Sequence, residues 1–103
     1  MVTVILESPY AGDVEKNIEY AKLCMKDSLM RNEAPLLSHL LYTMVLDDTI
    51  KEERELGIEA GLSWRHSANK TVVYTDLGIS PGMQHGIQDA IDWDREIEYR
   101  ALW

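Results

Sequence analysis

Val2-Thr3-Val4-Ile5-Leu6 runs directly into Glu7-Ser8-Pro9-Tyr10-Ala11-Gly12-Asp13, and this junction decides the fold. A short β-branched run that is apolar on both faces reads as a buried parallel strand. Pro9 and Gly12 break it, and Asp13 is an N-cap candidate with Glu15 in the first helical turn. The device recurs. Thr71 to Tyr74 leads into Thr75-Asp76-Leu77-Gly78-Ile79-Ser80-Pro81-Gly82, where Ser80 reads as an N-cap and Pro81 as the first helical residue. Each turn sets small residues and free backbone N–H groups at a helix start, which favours anionic or hydroxyl-rich ligands.

The intervening segments follow the same alternation. Val14, Ile18, Ala21, Met25 and Leu29 recur at helical spacing, and Arg31-Asn32 ends that helix. Ala34 to Ser38 reads as a second strand, with Pro35 near its beginning. Leu40 to Leu46 is too apolar for an exposed loop and suits a pocket cover or a contact with another protein, as does Trp103. Thr49-Ile50-Lys51-Glu52 has capping-box spacing, so a second helix is expected there, with Ile50, Gly57, Ala60 or Gly61, and Trp64 on one face. Its small residues allow another element to approach closely. The third helix is expected to turn Met83, Ile87, Ala90 and Ile91 inward, and Glu96 to Leu102 reads as a last strand. The order βαβαβαβ implies an α/β fold, a parallel four-stranded sheet of order 2-1-3-4 with helices on both faces. Strand order reverses between strands 1 and 3, and ligands of open α/β sheets bind at such a switch point.

Composition narrows the function. A chain of 103 residues reads as a single domain, 1–103. Its formal net charge of −8 argues against nucleic-acid polymers and anionic membrane surfaces, which need clustered Lys and Arg. No apolar run approaches a membrane span, and no signal-peptide pattern opens the chain. The one cysteine, Cys24, allows no internal disulfide and fits a reducing cytoplasm. His39, His66 and His85 lack ligand spacing, so neither a metal nor a cofactor is expected. The candidate ligand-binding residues are Ser8, Pro9, Tyr10 and Gly12 from the first turn, and Asp76, Ser80, Pro81, Gly82 and Met83 from the second. Ser8 and Ser80 are also plain helix caps, and Asp76 is also a turn residue. Tyr10 could stack on a base; Glu7, at the end of strand 1, could bind ribose hydroxyls. Asp47, Asp48, His39 and His85 are further polar candidates near the expected pocket.

Three segments, Glu7 to Asp13, Arg54-Glu55-Leu56-Gly57-Ile58-Glu59-Ala60-Gly61, and Ile79-Ser80-Pro81-Gly82-Met83, carry a family resemblance over residues 2 to 91. The chain resembles the small phage and bacterial relatives of nucleoside 2-deoxyribosyltransferases. That resemblance implies a flavodoxin-like three-layer sandwich, a nucleoside or nucleotide ligand, a homo-oligomer, and the host cytoplasm if the chain is phage-encoded. The family's reaction uses a glutamate that attacks the anomeric carbon. With Ala90 matched to the family's helix-packing alanine, that glutamate position falls on Gly86, flanked by Gln84 and His85. The resemblance thus implies a nucleotide- or nucleoside-binding protein without this nucleophile, one that could sequester a signalling nucleotide. The alternative is an N-glycosidase or deoxyribosyltransferase using a displaced carboxylate, with Asp76, Asp89 and Glu7 as candidates.

Overall fold

A computed structural model describes residues 1–103. Strands β1 (Val2–Glu7), β2 (Glu33–Leu36), β3 (Lys70–Tyr74) and β4 (Glu96–Arg100) form one sheet of order β2-β1-β3-β4. Every pairing is parallel, with Val4 opposite both Pro35 and Lys70, and Thr71 opposite Ile97. The helices are α1 (Val14–Met30), α2 (Ser38–Leu41), α3 (Lys51–Leu62) and α4 (Pro81–Asp92), with short 3-10 turns after α2 and α3. The α/β class and the strand order are those expected from the sequence, and the arrangement is consistent with a flavodoxin-like fold. No helix is long and apolar enough to cross a membrane.

Alternation along the strands splits the core in two. Val4 and Leu6 of β1 join Val72 and Tyr74 of β3 against Tyr20, Ala21 and Cys24 of α1. On the other face Val73 packs on Met83 and Ile87 of α4. Cys24 is a sealed core filler, and burial pushes its thiol up to about 12.

Several local expectations are corrected. The inner face of α1 is Asn17, Tyr20, Ala21, Cys24 and Ser28, while Leu29 is 51% exposed. Hydrogen bonds turn the polar residues inward: Asn17 Nδ2 donates to the Tyr10 and Ala11 carbonyls (2.9 and 3.0 Å), and Ser28 Oγ donates to Glu33 (2.8 Å). β2 covers Glu33–Leu36 rather than Ala34 to Ser38, because the Leu40 and Leu41 N–H groups fold back on the Leu37 carbonyl and start α2. The Thr49 capping box does not form. Thr49 instead gives both its N–H and its hydroxyl to Asp47 (2.9 and 2.6 Å), and Ile50 holds the N-cap position of α3 without a side-chain bond. Ile50 and Trp64 are exposed, as is Ile91 of α4, whose inward place is taken by Asp89. β4 stops at Arg100, since the Leu102 N–H turns to the Asp76 carboxylate (2.9 Å).

Gly61 behaves as its size suggests. A Cβ there would lie 2.8 Å from Ser38 Cβ, so α2 and α3 meet across it. Gly61→Ala is expected to cost about 1–3 kcal/mol by overpacking, read by urea denaturation.

Beneath α1 lies a charged cluster. Arg100 grips Glu33 with both terminal nitrogens (2.8 and 2.6 Å), bonds Glu98 and reaches the Tyr74 hydroxyl (3.1 Å). Lys70 adds contacts to Glu98 (2.8 Å) and Glu33 (3.3 Å). Tyr74 passes its own proton bond to Asp27 (2.7 Å).

Candidate functional site

The carboxyl ends of β1 and β3 open onto a cavity of about 220 Å³. From the first turn it receives Glu7, Ser8, Tyr10 and Ala11; from the second, Ser80, Pro81, Gly82 and Met83. The two Ser-Pro turns therefore face one space. Pro9, Gly12, Asp76 and Asp89 are not part of its wall. Pro9 is buried between lining neighbours. Gly12 holds a φ of +101°, a conformation that favours glycine, and this turns the chain into α1. Asp76 accepts bonds from the Tyr20 hydroxyl (2.7 Å) and the Leu102 N–H, pinning the C-terminal segment on the α1 side. Asp89 is buried and bridged by Arg65 and Arg95, each at 2.9 Å. Of the three candidate carboxylates, only Glu7 reaches the cavity.

The helix start of α4 is less open to anions than its sequence suggests. Ser80 Oγ accepts the Met83 N–H (3.3 Å), and the Ser80 N–H points at Met83 Sδ (3.3 Å). Pro81 has no N–H, which leaves that of Gly82. Charges on the wall balance. Arg95 turns to Asp89 and to the Thr71 hydroxyl (2.9 Å), and Arg54 lies 3.9 Å from Asp48. His39 sits 2.6 Å through Nε2 from Ser8 Oγ, and burial lowers its pKa to about 4, so the ring is neutral at pH 7. Burial pushes the Glu7 carboxyl up to about 8; Arg95 opposes this and Asp89 adds to it. No group of three or more His, Cys, Asp or Glu side chains is arranged to hold a metal ion.

Gly86 has a plain reason to be glycine. A Cβ there would stand 2.1 Å from Glu7 Oε2 and 2.4 Å from its Cδ. The space beside α4 is filled by a carboxyl delivered from β1. A family model described as "Domain of unknown function (DUF7768)" matches residues 2–100. The chain belongs to the DUF7768 family. No curated protein and no solved structure matches it. The DUF7768 match spans all four strands and the whole cavity wall, but brings no activity with it.

Sequence reasoning missed Arg95, Arg54 and Ile58 as wall residues. Arg54 and Ile58 lie on one face of α3 at i,i+4, a spacing that was legible once that helix was set against the sheet. Arg95 follows the end of α4, and nothing local marks it.

Proposed function

We propose that this protein binds a nucleoside or a nucleoside-derived molecule at the β1–β3 switch point. The observation that carries the reading is the convergence of both strand-to-helix turns on one cavity. Its chemistry favours a hydroxyl-rich, largely uncharged occupant: the wall offers Tyr10, the Gly82 N–H and Glu7, with arginines already paired. At about 220 Å³ the space is smaller than the roughly 300–1,000 Å³ of ordinary ligand pockets, so part of the molecule would project outward. The resemblance to nucleoside 2-deoxyribosyltransferases supports a nucleoside over a free sugar, and binding without turnover accords with Gly86 at the family's nucleophile position. Holding such a molecule away from other proteins is the biological role this suggests.

Calorimetry with adenosine, uridine and inorganic phosphate tests the reading. A nucleoside Kd below about 1 mM, roughly −4 kcal/mol, is expected, with phosphate weaker. No heat from any nucleoside at millimolar concentration would count decisively against it.

A second reading, N-glycosidic cleavage by a displaced carboxyl, is favoured by Glu7 occupying the space over Gly86. Release of free base that disappears in Glu7→Gln would establish it.

A further inference from the structure

Glu7 ends β1 and lays its carboxyl against α4 at Gly86, in space that a Cβ at residue 86 would share. The cations near it are engaged elsewhere. Arg95 serves Asp89 and Thr71, Arg65 serves Asp89, and Arg54 leans to Asp48. The neighbouring Ser8 hydroxyl is held by His39. No side-chain oxygen or nitrogen in the molecule is both sealed from solvent and unpartnered, so the unengaged Glu7 oxygens open onto the cavity. Packed against α4 on one side and without an ion-pair partner of its own, the carboxyl is pushed toward its protonated form.

We propose that Glu7 is the specificity-determining residue of this pocket: a carboxyl in its acid form, backed by Gly86, that donates its O–H to an uncharged acceptor on the bound nucleoside. The proposal rests on the nucleoside reading above. Desolvation raises the Glu7 pKa to about 8, so the group is largely protonated at pH 7. The groups facing it are Arg95 from the segment after α4, Asp89 and His85 of α4, His39 of α2, and Arg54 and Asp48 around α3. His39, lowered to about 4, stays neutral throughout the alkaline range. A neutral carboxyl donates to a ring nitrogen, a ring oxygen or a hydroxyl oxygen, whereas an ionised carboxylate accepts from hydroxyl donors.

Two measurements on the full chain test this. The first is a carbon NMR titration of the glutamate side-chain carboxyls from pH 3.5 to 10, with Glu7 assigned by Glu7→Gln. An inflection near pH 8 is expected, and one in the ordinary range near 4.5 overturns the proposal, whatever binds. The second is adenosine affinity at pH 7 and 9.5. Since the binding-competent fraction falls as Glu7 ionises, Kd should rise about thirtyfold over that interval. Glu7→Gln, which keeps a donor, should bind with no such pH response, and His85→Asn should retain it. Affinity that strengthens with pH overturns the donor role. If Glu7 titrates near 8 but adenosine does not bind, it is the nucleoside reading that fails, and the donor role toward nucleosides fails with it.

Discussion

Arg100→Ala is expected to destabilise the fold by about 3–5 kcal/mol, the range for removing one partner of a buried ion pair. The guanidinium is 3% exposed and holds Glu33 twice, so its loss leaves a carboxylate that is itself 7% exposed with only Ser28 and Lys70. Against a typical total of about 5–15 kcal/mol, that is enough to leave a sizeable unfolded fraction. Urea denaturation of wild type, Arg100→Ala and the double variant Glu33→Gln/Arg100→Met measures it, and the double variant should recover part of the loss. The same cluster dictates acid behaviour. Hydrogen bonds from Arg100 hold both Glu33 and Glu98 down to about 2, below the ordinary 4.5. Because their folded pKa values are depressed, the stabilisation is full above about pH 4.5 and is lost as pH falls toward 2. A melting temperature that does not fall between pH 5 and pH 3 would contradict this account.

Gly86→Ala should produce the second effect, about 1 kcal/mol of lost stability as the Glu7 carboxyl is pushed toward the cavity, with an unusual rescue. The three atoms nearest the new methyl all belong to the Glu7 carboxyl, Oε2 closest of them. In a Glu7→Ala background that collision is gone, so the glycine substitution should then cost little. Thermal denaturation of the four proteins gives the coupling, and additive effects would mean the two residues do not compete for one space. Glu7 also imposes a pH trend opposite to that of the Arg100 cluster. Its folded pKa is raised, so the chain holds more protons folded than unfolded, and stability falls as pH rises from about 4.5 to about 8. Glu7→Gln should remove that slope.

How much of this was readable in the chain differs from residue to residue. The parallel order followed from Val2-Thr3-Val4-Ile5-Leu6 and its echo at Thr71 to Tyr74, since uninterrupted apolar strands leave few topologies. Ser80-Pro81 was legible because capping chemistry is local, and Ser80 does cap α4. Thr49 failed by the same logic, as Asp47, two residues away, competed for its hydroxyl. The inner face of α1 slipped because apolar spacing cannot anticipate that Asn17 and Ser28 will find buried partners. α2 escaped notice since four residues make no period. Glu33 and Arg100 lie 67 positions apart, and no motif announces such a pairing. Gly86 was read as a missing nucleophile. That it also makes room for Glu7 became visible only when β1 and α4 stood side by side.

The interior mixes polar and charged groups with its apolar side chains. Seven of its 23 buried residues are polar or charged, Glu33, Asp89 and Arg100 among them. Hydration of apolar surface raises the heat capacity of the unfolded chain, and hydration of polar surface lowers it. A core wired in this way should therefore unfold with a modest heat-capacity step, and its stability should change only gently between cold and warm conditions.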